Sequence, residues 1–215
     1  MPQVSRIMKP ETEAAWEKFL NPDSLKQHLL AGSVYLAAYE MFKESLVGHP
    51  RDFYLSGFRN GKEIIDPQYQ AEVLSLAKHT YNASALWWKR HGVIRDDEVQ
   101  KIGEIREHRD EIAHNIPRFL GTADGVIRLD LLESMFVLLS KLDKWWIREV
   151  EMPTNPDFCA HEFSKEELDG VASLRMIFLS FMIPIAHGDD SRLREVYEKW
   201  RKRKKANEIT SADRV

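Results

Sequence analysis

Cysteine is almost absent from this chain: Cys159 stands alone among 215 residues. A lone thiol forms no internal bridge, which excludes a disulfide framework. With no charged-then-apolar leader over residues 1–17, the sequence points to a cytosolic protein. Long apolar runs are missing too. The longest mostly apolar stretch, residues 176–186, contains Pro184 and falls well short of the roughly 20 residues that a bilayer crossing needs, so no membrane partner is expected. No glycine-rich, phosphate-cradling loop is present, which removes support for nucleoside-triphosphate hydrolysis. The eight histidines never fall three or four residues apart, the helical spacing of paired metal ligands, so neither a metal nor a cofactor is expected. Cys159 lies two residues before His161 but has no oxyanion framework beside it, and thiol catalysis is set aside.

What the chain does have is aromatic bulk and helical periodicity. Six tryptophans and ten phenylalanines, with glycine and proline gathered between the periodic segments, argue for a large packed interior. A chain of this length buries roughly 70% of its extended surface, and one all-α domain accounts for the pattern. A short helix over residues 10–20 would lie as a lid over the bundle. Asp23 would cap a long helix over 24–47, closed by Gly48 and Pro50. Residues 51–66 read as a structured connection without a strand, and 68–89 as one helix stopping near Gly92. Asp96, Asp97 and Glu98 open the next helix, with Val99, Ile102, Ile105, Ile112 and Ile116 as its buried stripe and Pro117 as its end. A central helix over 126–149 is apolar nearly all round. Ser164 and Glu167 form a capping box for a helix reaching residue 183, and 189–205 form a last, basic helix. The expected organisation is a core bundle of about five helices over 24–150, a helical extension over 151–205 and a flexible tail over 206–215.

The stretch with chemical possibilities is Glu107-His108-Arg109-Asp110-Glu111-Ile112-Ala113-His114. On a helix, five residues turn the chain by about 140° and raise it by about 7.5 Å, so Arg109 and His114 flank one edge without converging. Asp110 sits one turn below His114, at the spacing where a carboxylate orients an imidazole. Arg109 lies on the apolar stripe, one turn after Ile105. A structural role also suits these residues, with Arg109 in an ion pair with Asp110, Glu111 or a neighbouring helix, and His114 complementing the helix C-terminus.

An arginine followed by a polar residue, three further positions and a histidine, late in an amphipathic helix flanked by long helices, resembles the signature of the HEPN superfamily. These are all-helical nucleotide-binding and ribonuclease domains of prokaryotic toxin and defence systems. The resemblance covers residues 24–149 and implies an all-α, HEPN-like bundle. It further implies metal-independent endoribonuclease activity that leaves a cyclic phosphate, with Arg109 and His114 catalytic and Asp110 positioning His114 or the partner's arginine. Because the two residues diverge on one helix, a composite site between two copies follows, hence a homodimer with an RNA substrate and, in a toxin role, a cognate antitoxin. The alternative is a noncatalytic HEPN-like dimer that binds a nucleotide or a protein partner.

Charge qualifies this picture. Residues 95–116 hold seven acidic and four basic side chains, the reverse of what an RNA cleft needs. Residues 191–205 hold eight basic and two acidic, a net of +6 that leaves −9 for the rest of the chain. RNA-binding candidates outside the motif are therefore Lys43, Arg51, Arg201, Lys202 and Arg203. A solvated helix end is the plainer role for the last three.

Overall fold

The computed structural model describes residues 9–122, 124–158 and 163–212, with side chains as far as Lys204 in the last helix. Among these residues the chain is all-α apart from one small hairpin. Helix α1 (Pro10–Leu20) is joined to α2 (Pro22–Lys43) by Asn21 alone. The Asn21 side chain accepts hydrogen bonds from the amides of Asp23 and Ser24, so Asn21 caps α2 in place of Asp23. Helix α2 buries Ala31, Val34, Tyr35, Ala38, Tyr39 and Phe42 at helical spacing. Gly48 and Pro50 do not stop the chain there. It widens into a π turn over Glu44–Gly48 and enters α3 (His49–Phe53) with Pro50 in the first turn, where a missing N–H costs nothing.

Two expectations fail in the next stretch. Residues 55–65 form an antiparallel hairpin, β1 (Leu55–Arg59) and β2 (Lys62–Ile65), turned by Asn60 and Gly61 at φ 52° and 74°. Asn-Gly at two positive φ angles is the turn that matches strand twist, and it makes a hairpin where a connection without strands was expected. The single helix over 68–89 is broken into α4 (Gln68–Glu72), a 3₁₀ turn at Leu74–Leu76 and α5 (Thr80–Arg90). Within the break the Ser75 hydroxyl donates back to Ala71 O. Trp87 and Trp88 of α5 are fully buried, and Trp88 Nε1 donates to Leu46 O in the π turn at 2.9 Å.

Helix α6 (Asp96–His114) opens with the Arg95 amide donating to Glu98 and buries Ile102, Ile105, His108 and Ile112. It ends at His114, and Pro117 opens a further short helix, α7 (Ile116–Gly121), where it was expected only to terminate. Gly125 follows in a tight approach: a Cβ there would stand 2.2 Å from Arg118 O and 2.7 Å from Phe119 Cα. Residues 126–128 are not helical, with Arg128 extended, and α8 spans Leu129–Trp146, starts later than expected and is amphipathic, burying Leu131, Leu132, Met135, Leu138, Leu139 and Leu142 while Val137 stays exposed. A second π turn (Ile147–Glu151) and α9 (Met152–Thr154) follow. The expected helix from the Ser164–Glu167 capping box to residue 183 divides into α10 (Lys165–Gly170) and α11 (Leu174–Ala186), because Ser173 caps a new start. Helix α12 (Ser191–Ala212) runs past Lys205, so the expected tail is helical as far as Ala212.

Helix α2 packs on α6, α8 and α11, which makes these four the centre of the bundle; α1 lies across α2 and α7. The polar knot of the core is Asp143, 1% exposed, with His49 Nε2 at 3.1 Å and the Ser173 hydroxyl donating to its other oxygen. Burial pushes this carboxyl up, but the bonds from His49 and Ser173 outweigh it and hold the group below the ordinary carboxylate range. An ionised carboxylate only accepts, so His49 donates through Nε2. No helix among the described residues is long and apolar enough to cross a membrane.

Two glycines, Gly125 and Gly103, test this packing in opposite senses. Gly125→Ala is expected to lower the unfolding free energy by about 1–3 kcal/mol, since the backbone of α7 must move. Gly103→Ala, on α6 with nothing within 4 Å of an added Cβ, is expected to raise it by roughly 0.5–1 kcal/mol. Urea unfolding of both variants measures this, and a neutral Gly125→Ala would refute the close approach.

Candidate functional site

Two buried tyrosines set how α6 faces the bundle. Tyr35 of α2 donates its hydroxyl to Ile105 O at 3.1 Å, and Tyr81 of α5 donates to Ile102 O at 3.3 Å. With those carbonyls turned inward, His108 follows them into the core. Its Nε2 accepts the Arg128 amide at 3.0 Å, and its ring lies edge-on to Tyr35 and Phe119 at 5.0 and 5.6 Å. That bond fixes the neutral tautomer with the proton on Nδ1, toward Glu111 at 3.6 Å. Burial pushes the His108 imidazole below its ordinary value, and Glu111 offsets this only in part. His108 is a core residue.

Arg109 and His114 occupy a different edge. The Arg109 guanidinium lies 4.9 Å over the ring of Tyr39; Nη2 donates to Glu40 at 2.8 Å and Nη1 to Asp110 at 3.0 Å. Its side chain is 30% exposed, so the stripe position expected for it is a shelf beside the core, not the core. Burial acts to raise the Glu40 carboxyl, but the hydrogen bond from Arg109 outweighs it and leaves the group below its ordinary value. Asp110 faces Arg109 and, at 4.0 Å, Arg106. The expected Asp110–His114 pairing within one chain is not formed, because the carboxylate is drawn to the two guanidiniums. His114, the last residue of α6, is exposed, and its imidazole makes no hydrogen bond, ion pair or ring contact among the described residues. A small apolar cleft of about 60 Å³ lies beside this end of α6, lined by Leu29, Leu36, Ile112, Ile116 and Leu120. Leu29 and Ile116 are exposed there.

The weaker candidates scatter. Lys43, in the last turn of α2, pairs with Glu40 at 3.4 Å and so belongs to the Arg109 group. Arg51 is engaged with Glu63 of β2 and with Asp52, at the hairpin. Arg201, Lys202 and Arg203 are exposed on α12, where Arg201 pairs with Glu198, and none of their described contacts reaches α6. Tyr39 and Glu40 escaped the sequence reading. Their signal was the register of α2, which puts them one turn before Lys43 on the face that meets α6. Cys159 and His161 lie outside the described residues. No cluster of ligating side chains that could hold a metal occurs among the described residues.

No protein-family model, curated protein or solved structure matches this chain.

The contrast between the two motif histidines is testable by pH. His108 binds its proton more weakly in the folded than in the unfolded chain, so its stabilising contribution is complete above about pH 6.5 and declines as pH falls below it. The slope attributable to it is at most about 1.4 kcal/mol per pH unit. His108→Gln keeps an acceptor for Arg128 without titrating. Urea unfolding at pH 7.5 and 5.5 is expected to cost the wild type more stability than the variant, and equal losses would remove His108 from the account.

Proposed function

We propose that this chain is a homodimeric, metal-independent endoribonuclease of toxin or phage-defence type. In this reading Arg109 and His114 of two copies complete one cleft across a twofold axis. The observation that carries it is the incompleteness of the motif in one chain: Arg109 is positioned by Glu40, Asp110 and Tyr39, while His114 stands exposed with no partner for its imidazole among the described residues. Exposed Leu29 and Ile116 beside His114 supply apolar surface for a second copy to cover. The motif's resemblance to HEPN ribonucleases supports the reaction.

The chemistry follows from the side-chain types. An imidazole takes the proton of a ribose 2′-hydroxyl as that oxygen attacks the adjacent phosphorus. The bond from phosphorus to the 5′-oxygen breaks, and the departing oxygen takes a proton from the second histidine of the cleft. The products are a 2′,3′-cyclic phosphate and a 5′-hydroxyl. Arg109 holds the phosphoryl oxygens as charge builds on them, and Asp110 orients that guanidinium. A second reading, a noncatalytic HEPN-like dimer that binds a nucleotide or a protein partner, is favoured by the carboxylates of Glu40 and Asp110, which already occupy the Arg109 guanidinium.

The deciding assay is incubation of the purified protein with total RNA and tRNA in the presence of a chelator, with analysis of fragment ends. Fragments ending in cyclic phosphate are expected. His114→Ala should cut about 10²–10⁴-fold more slowly and Arg109→Ala about 10²–10³-fold, both with unchanged circular dichroism. Absence of cleavage, or equal cleavage by His114→Ala, would transfer the site to the binding reading.

A further inference from the structure

Two helices near the ends of the chain bury nothing. No residue of α1 is buried, and Trp16 and Phe19 are 51% and 43% exposed. Every described side chain of α12 is exposed, Leu193, Val196, Tyr197 and Trp200 at 42%, 42%, 53% and 53%. Helices draw most of their stability from packing an amphipathic face, so each of these stripes lacks its cover.

The stripes match in spacing and oppose in charge. Leu193, Val196, Tyr197 and Trp200 recur at i, i+3, i+4 and i+7 and share one face. Thr12, Ala15, Trp16 and Phe19 recur at the same intervals and line a groove of about 790 Å³ between α1 and the end of α7, with Glu11 and Asp124 beside them. Glu13 and Glu17, on the other flank of α1, add to its negative charge. Its one lysine, Lys18, donates to the carbonyls of Thr122 and Gly125 at the α7 side of the groove. The segment over residues 191–205 carries +6 in a chain of net −3. Within one chain the groove stays open and the stripe exposed, so a chain's own α12 does not fill its groove.

We propose that α12 of one copy docks in the α1–α7 groove of a second copy, apolar stripe on apolar stripe, with its basic end in the negative field of Glu11, Glu13 and Glu17; Asp124 at the groove is already paired with Arg118. Repeated about a twofold axis, the contact forms twice and closes the dimer. An RNA or a lipid surface would satisfy the cations but leave the groove empty. The surface includes neither Arg109 nor His114, so it stands apart from the ribonuclease reading.

The test is a charge-reversal pair followed by sedimentation equilibrium. The wild type is expected to be a dimer at micromolar concentration. Lys202→Glu with Arg203→Glu and Lys204→Glu should raise its dissociation constant by at least about tenfold, as should Glu11→Lys with Glu13→Lys and Glu17→Lys. An equal mixture of the two variants should recover wild-type association, because both contacts of the mixed dimer are again complementary. A wild-type monomer overturns the proposal, including one that gathers on anionic phospholipid vesicles. So do reversed variants that dimerise like the wild type, an outcome that leaves the composite α6 site standing, and a mixture that fails to recover. Phe19→Cys with Val196→Cys, in a Cys159→Ser background, gives a second reading: oxidation should link two chains, and a link formed only within single chains overturns the proposal.

Discussion

The rotation of α6 about its own axis is the constraint on which the candidate site depends, and two hydroxyls hold it. A buried tyrosine hydroxyl must be bonded, and a helix carbonyl has a second lone pair to offer once its own ladder bond is made. Tyr35 and Tyr81 use Ile105 O and Ile102 O in this way, from two different helices. Successive residues on a helix differ by about 100°, so fixing 102 and 105 inward decides the next turn as well. His108 goes to the core and Arg109 to the shelf. Turning α6 by one residue would bury a guanidinium and expose Ile105 and Ile112.

Arg109 is held at this shelf by carboxylates, yet the grip is light. Its partner Glu40 is more than half exposed, and pairs of that kind contribute about 0–1 kcal/mol because water screens them and two long side chains must be immobilised. Glu40 and Asp110 position the arginine, and the ring of Tyr39 lies under its guanidinium at 4.9 Å. Of the acidic residues on α6, Asp110 is the one that pairs with Arg109, joined by Glu40 from α2.

What was legible in the sequence is what depends on neighbours along the chain. The all-α class, the span of α1, the start of α6 after its acidic turn and the Ser164–Glu167 box all follow from spacing within one or two turns. The hairpin was legible in principle from Asn60-Gly61, but strands of five and four residues give little alternation to support it. Of the breaks in the two long helices, the second turns on a single serine, Ser173, whose hydroxyl accepts from the Met176 amide and starts a new helix. Contacts across the fold were legible only in kind. An ion pair of Arg109 with Asp110 or a neighbouring helix was expected and is formed. That the helix is α2 and the partner Glu40, 69 positions away, or that His49 meets Asp143 over 94, is not written in either segment.

The chain's outer helices follow the same logic from the other side. A stripe of Leu193, Val196, Tyr197 and Trp200 is visible in the sequence as an amphipathic helix, and folding alone would be expected to bury it. The bundle does not need it: the core closes without α12, with Leu46, Trp87, Trp88, Leu131, Leu132, Leu139 and Leu142 fully enclosed. A helix that is periodic enough to be amphipathic but superfluous to its own core has kept an apolar face that water disfavours. Stacking of Tyr197 on Trp200, with Lys204 over the indole, shelters part of that face and orders the two rings side by side. Rings ordered in this way lose little further freedom on association, which is the property of an anchor.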